Sequence, residues 1–97
     1  MDIRQLNALV AVVDTGSFSA AAQSLHTVQS NISTHIARLE QELSVSLIDR
    51  RTGVLTEEGA LVVERARRVQ TELESISLDV KALHTEVSGV VRLGVIG

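Results

Sequence analysis

The side chains best suited to chemistry in this sequence are hydrogen-bonding ones gathered between positions 27 and 52. They are Thr27, Gln29, Ser30, Asn31, Ser33, Thr34 and Arg38, followed by Arg50, Arg51 and Thr52. Amides, hydroxyls and guanidinium groups in that mixture bind; without an adjacent base they do not make a nucleophile. The chain has no Cys, so there is neither a thiol nucleophile nor a thiolate metal ligand. His26, His35 and His84 have no spaced acid or second His to complete a metal site. No Gly-rich phosphate loop is present. The reading is therefore a binding protein and not an enzyme, with no catalytic and no metal-ligating residue. Gln can pair bidentately with adenine N6 and N7, and small hydroxyls beside Ala37 let a helix sink into a major groove. Arg and Thr suit phosphate oxygens. Taken alone, the same Ser, Thr and Gln face is also what a solvated surface looks like. Arg50 could equally pair with a carboxylate such as Asp49 or Asp14.

Helices must position these groups, because apolar residues recur at 3-4 spacing and almost nowhere alternate. Ile3, Leu6, Val10 and Val13 mark one face of a first helix. Asp2 is placed to cap it, Gln5 completes a capping box, and Gly16 supplies the stop. Ser17 caps a short second helix from Phe18 to about Leu25, with Phe18, Ala21, Ala22 and Leu25 on one side. After a gap of about three residues a third helix carries Ile32, Ile36, Leu39 and Leu43 inward. Thr27 could cap it, although Val28 stands where a polar cap would be expected. On that register Ser30, Thr34, Ala37 and Gln41 face outward, flanked by Ser33 and Arg38, with Gln29 at the helix start. Val45 and Leu47, then Val54 and Leu55, with Arg51, Thr52 and Gly53 between them, predict a small two-stranded hairpin.

Thr56 caps a last and much longer helix, with Glu57 and Glu58 in its first turn. Its apolar positions are Val62, Ala66, Val69, Leu73, Ile76, Val80, Leu83 and Val87, spaced alternately four and three. That is a heptad seam. A helix over 57–88 would run roughly 48 Å, too far to fold back on a head of this size, so the seam predicts a second chain. Residues 89–97 alternate like a strand between glycines and have no partner strand in the sequence.

Taken in order, the elements describe a mainly α chain: a winged helix-turn-helix over 1–56, then a dimerising linker helix over 57–88. Residue by residue it resembles the N-terminal domain of the LysR-type transcriptional regulators of bacteria. The resemblance is carried by Met1-Asp-Ile-Arg-Gln-Leu6, Val13-Asp-Thr-Gly-Ser-Phe-Ser-Ala-Ala-Ala22, Leu25-His26 and Gln29-Ser-Asn-Ile-Ser33. Further on, Ile36-Ala-Arg-Leu-Glu40, Leu47-Ile-Asp-Arg50 and Leu55-Thr-Glu-Glu-Gly59 continue it in register. Ser30 stands where the family often has Pro, Thr34 where it often has Arg or Lys, and the turn before Leu55 is short. The resemblance implies sequence-specific recognition of a (pseudo)palindromic operator in double-stranded DNA by a homodimer. It implies an antiparallel pairing of the linker helices, with tetramers open to the full-length protein. It also implies that 89–97 opens a truncated effector-binding domain, where a small-molecule effector would bind; no cofactor is expected in this fragment. A reading of a different class keeps only the long helix as functional, a coiled-coil interaction module without DNA binding.

Composition sharpens the choice. The formal charge is −3, from 9 basic and 12 acidic residues, which excludes a protein that coats nucleic acid indiscriminately. Up to Thr56 the basic residues are Arg4, Arg38, Arg50 and Arg51, and the acids Asp2, Asp14, Glu40, Glu42 and Asp49. After Thr56 there are 5 basic and 7 acidic residues, so most of the deficit lies beyond the head. Three of those four arginines fall on the third helix and the hairpin, so placement matters more than the total. The absence of a signal peptide and of any long apolar run predicts neither secretion nor a membrane span. With zero Cys, the expectation is a reducing, cytoplasmic setting, associated with the nucleoid.

Overall fold

A computed structural model describes residues 1–86. Four helices follow one another: α1 (Ile3–Thr15), α2 (Phe18–Ser24), α3 (Gln29–Leu43) and α4 (Glu57–Glu86). The local signals act where the sequence puts them. The Asp2 carboxylate accepts from Gln5 N–H at 3.0 Å while the Gln5 side chain accepts from Asp2 N–H, closing the capping box. Gly16 ends α1 at φ +90°, a left-handed conformation that costs glycine nothing. Ser17 Oγ accepts from Ala20 N–H at 3.0 Å to open α2. Thr56 Oγ1 accepts from Gly59 N–H at 2.9 Å and donates to the Ser46 carbonyl, so one hydroxyl starts α4 and ties it to the preceding segment.

The first three helices pack against one another in every pairing. Ile32, Ile36 and Leu39 are all buried, as the third-helix register requires. α1 departs from a single stripe. Its five consecutive residues Ala8, Leu9, Val10, Ala11 and Val12 are buried, whereas Ile3 is exposed and Leu6 and Val13 only pack at the margin. A helix covered by partners on several sides buries most of its circumference, so a 3-4 stripe understates its core contribution.

Two expectations need correction. The hairpin shrinks to one antiparallel bridge, Ile48 to Leu55. Val45 does not enter it: its N–H bonds back to the Glu40 carbonyl, in the turn that closes α3 with Ser44 at φ +59°. The tip is tight, with Asp49 N–H donating to Val54 O at 2.8 Å and Gly53 N–H to Asp49 O at 2.7 Å. That geometry leaves room for one pair and no ladder. The second correction concerns α4. Ala66 of the expected seam is buried in the chain's own core beside Val63, and Val62 packs against that core, so the seam's first turns are covered by the head.

The chain accordingly divides into a compact unit over 1–67 and a second from 68 onward. The first turns of α4 thus belong to the head, beyond the boundary at 56 that the caps suggest. They sit close. A Cβ on Gly59 would lie 2.0 Å from the Leu47 carbonyl oxygen, so only glycine permits that approach. Arg67 grips Asp14 at the end of α1, with Nη2 to Oδ1 at 2.8 Å and Nη1 to Oδ2 at 3.3 Å. The Arg67 guanidinium holds the Asp14 carboxyl below the ordinary aspartate range. In the second unit Val69 is half-buried, while Leu73, Ile76, Val80 and Leu83 are exposed. Val87 and the strand expected over 89–97 lie outside the described residues. Among the described residues no helix is long and apolar enough to cross a membrane.

Candidate nucleic-acid interface

α2 and α3 meet through a turn built on His26 at φ +57°. Thr27 N–H reaches back to the Ala22 carbonyl at 2.9 Å, and small Ala21 and Ala22 are buried where the helices cross. Thr27 does not cap α3. The N-cap is Val28, which has no side-chain acceptor, and Thr27 Oγ1 instead accepts from Asn31 Nδ2 at 2.7 Å. Being one residue early, the hydroxyl meets the amide one turn up the helix instead of the first N–H groups. Thr27 and Asn31 are therefore brought together as a brace for the turn. Their remaining hydrogen-bonding capacity is all they can offer a partner.

The rest of the expected face is present. Ser30, Thr34, Ala37 and Gln41 are exposed along the side of α3 opposite buried Ile32, Ile36 and Leu39, flanked by exposed Ser33 and Arg38, with exposed Gln29 at the helix start. No carboxylate occurs between Gln29 and Leu39. Arg38 makes no ion pair among the described residues. Val28, 60% exposed, adds an apolar side chain at the start of that face. Such a surface can donate and accept hydrogen bonds without repelling an anion.

At the hairpin tip the two arginines part company. Arg51 is 90% exposed, its Nε 3.9 Å from the Asp49 carboxylate. Asp49 Oδ1 accepts from the N–H of Arg51 at 2.9 Å and of Thr52 at 3.4 Å, fixing the tip backbone. Thr52 Oγ1 accepts from Val54 N–H. Arg50 is engaged by the head instead: Nη2 donates to Glu40 Oε1 at 2.8 Å, and the guanidinium lies 5.6 Å from the centre of the Phe18 ring. The structural reading of Arg50 is the observed one, with a partner other than Asp49 or Asp14; Asp14 is taken by Arg67. Glu40 is the residue that sequence reasoning missed. Its other oxygen accepts from Leu47 N–H at 2.8 Å and Ile48 N–H at 3.4 Å. A Glu on the flank of a helix has no local signal for partners seven to ten residues on. The one available hint was the Phe18, Glu40, Arg50 trio lying within otherwise separate motifs.

A three-helix head, a tight α2–α3 turn, an outward polar face on α3 and a one-bridge hairpin beside it define a winged helix-turn-helix. Residues 3–60 match the family model described as bacterial regulatory helix-turn-helix protein, lysR family. The chain belongs to that family. It is 44% identical over 95 residues to an uncharacterized helix-turn-helix transcriptional regulator from an intergenic region of Azotobacter vinelandii, covering 96% of this chain and 66% of that one. It is 40% identical over 91 residues to the transcriptional regulator CrgA of Neisseria meningitidis, covering 92% of this chain and 30% of CrgA. The chain thus spans two-thirds or less of the length of these relatives. Among solved structures, the BenM DNA-binding domain in complex with catB site 1 DNA superposes with a TM-score of 0.80 at 30% identity, over 88% of this chain and 94% of that one.

Proposed function

We propose that this chain is the operator-binding part of a bacterial transcriptional regulator, acting on double-stranded DNA as a homodimer. The observation that carries the reading is the exposed, carboxylate-free face of α3 beside an exposed Arg51, in a head that superposes on a family member in complex with DNA. α3 is read as lying in the major groove. Gln29 pairs with adenine, Ser30, Ser33 and Thr34 add hydroxyl contacts, and Arg38 reaches a base edge or phosphate. The uncapped start of α3 and Thr27 suit a phosphate. Arg51 and Thr52 at the hairpin tip approach the backbone and the minor groove beside it. Asn31 acts chiefly through Thr27, and Arg50 through Glu40.

Val69, Leu73, Ile76, Val80 and Leu83 form the dimer seam, paired antiparallel as in the family resemblance, and set the distance between two half-sites of a (pseudo)palindrome. The wider protein is read as a cytoplasmic, nucleoid-associated regulator with no enzymatic role. A small-molecule effector would act through a further domain, and tetramers would form there. The deciding experiment is a gel shift against a duplex selected by the chain from a random library. The Gln29→Ala, Ser33→Ala double variant should abolish the shift; an unchanged shift overturns the assignment of this face. Sedimentation with and without that duplex tests the coiled-coil module, which requires a dimer with no DNA affinity at low salt.

A further inference from the structure

We infer that Glu40 is a positioning residue for DNA binding, locking the wing to the recognition helix so that Arg51 is presented at a fixed place beside α3. The inference rests on the DNA-binding reading above. Its basis is a junction that joins three parts of the head through one carboxylate. Glu40 leaves α3 and is only 16% exposed. One oxygen holds the backbone N–H groups of Leu47 and Ile48, the first residues of the wing, at 2.8 and 3.4 Å. The other holds Arg50 at 2.8 Å, at the root of the wing tip. Arg50 in turn lies over Phe18, the first residue of α2. Charge-assisted hydrogen bonds of this kind are among the stronger orienting contacts a protein has.

Buried Leu47 and Ile48 and the bonds from Thr56 to Ser46 and Leu47 seat the base of the wing in the head, whereas its outer part has little else to shape it. Its strands share one bridge, Ile48 to Leu55, and the tip is held by Asp49 and Thr52 to its own backbone only. A two-stranded hairpin with a single bridge is marginal by itself. Beyond the buried base, the contact between the wing and α3 runs through the Glu40 carboxylate, which bonds to both ends of the rising strand. Arg51, with no stronger partner than Asp49 at 3.9 Å, then projects from a placed tip. Arg50, 53% exposed, is paired with Glu40, so of the adjacent arginines one builds the wing and the other meets DNA.

A double-variant cycle tests this, using the whole chain and a duplex it enriches from a random library. Arg51→Ala should weaken binding about tenfold, the effect of losing one charge-assisted contact. Glu40→Gln, which keeps the side-chain shape but drops the charge, should weaken it to a similar degree. The combined variant should be no weaker than Glu40→Gln alone, since an unplaced Arg51 has little left to lose. Hydroxyl-radical protection flanking the major-groove contact should disappear in both single variants, while methylation interference from α3 stays. Should Glu40→Gln fail to fold, Arg50→Met keeps the Glu40 bonds to the wing backbone and should show the same loss of flanking protection. Additive effects in the cycle, or flanking protection that survives, overturn the inference while leaving the DNA reading in place. Tighter binding by Glu40→Gln overturns it too, since Arg50 would then be a phosphate contact held back by Glu40. A wild-type chain that enriches no duplex overturns both.

Discussion

The two ends of α4 carry the same apolar spacing and meet opposite fates. Ala66 is 1% exposed and Val63 6%, whereas ten to seventeen residues along the same helix Ile76 is 61% exposed and Leu83 60%. The helix is covered by its own head along its first turns and leaves its later apolar side chains exposed. A heptad pattern says that a stripe is apolar; it does not say whose surface covers it. The difference also separates two kinds of stability. Burial of Val63 and Ala66 is part of folding, while on the proposed dimer reading burial of Ile76 and Leu83 would depend on protein concentration.

The most direct way to break this comparison is to place a carboxylate at each end. Ala66→Asp should cost about 3–5 kcal/mol of head stability, since an unpaired charge would be buried among apolar neighbours. Urea unfolding followed by circular dichroism reads it. Ile76→Asp should leave the head folded and abolish self-association in sedimentation. If Ile76→Asp unfolds the chain, or Ala66→Asp merely dissociates it, the assignment of the two ends is wrong. Gly59→Ala comes next. The added methyl meets the Leu47 backbone, not a side chain that can yield, so a loss of about 1–3 kcal/mol is expected with the dimer contacts intact.

A smaller effect is expected from Thr56→Ala, about 1 kcal/mol, through loss of the α4 cap and of the bond to Ser46. Hydrogen exchange should localise it to the first turn of α4. The smallest concerns the Arg67–Asp14 pair. The Asp14 carboxyl titrates lower in the folded chain than in the unfolded one, because Arg67 stabilises its charged form. Its contribution is therefore complete above the unfolded aspartate pKa of about 3.9 and is lost as pH falls through the lower folded value. Asp14→Asn should flatten the acid limb of the stability curve slightly and leave stability near neutral pH almost unchanged, since both side chains are about half exposed. A large loss at neutral pH would mean that the pair does more than steady α4 against α1.

The binding surface divides along a related line. Ser30, Ser33 and Thr34 lie where the helical register puts them, because Ile32, Ile36 and Leu39 leave one orientation for α3, and Gln29 stands at the helix start. Thr27, Asn31 and Arg50 each have a neighbour that a register does not show. For Thr27 and Asn31 the neighbour is one turn away, and the absence of a polar residue at Val28 is what frees them to meet. For Arg50 it is Glu40, ten positions back, with Phe18 further still. The wing was legible as a turn flanked by apolar residues, but not as a single bridge. How many pairs form is decided by where the Asp49–Gly53 turn closes and by the claim of α3's closing turn on Val45.

By itself the sequence determined what lies within a helical turn or two: the capping box at Asp2, the stop at Gly16, the caps at Ser17 and Thr56, the inward register of α3 and the motifs of the family. Those depend on hydrogen bonds and periodicities a few residues long, which residue types specify directly. Only the tertiary structure decided which end of α4 is core, why Gly59 must be glycine, that Asp14 belongs to Arg67, and that Glu40 joins the wing to α3. Each of these is a meeting of groups that chain order does not specify. It exists because packing the apolar faces first fixed where the backbones run, and the polar partners then took the positions that remained.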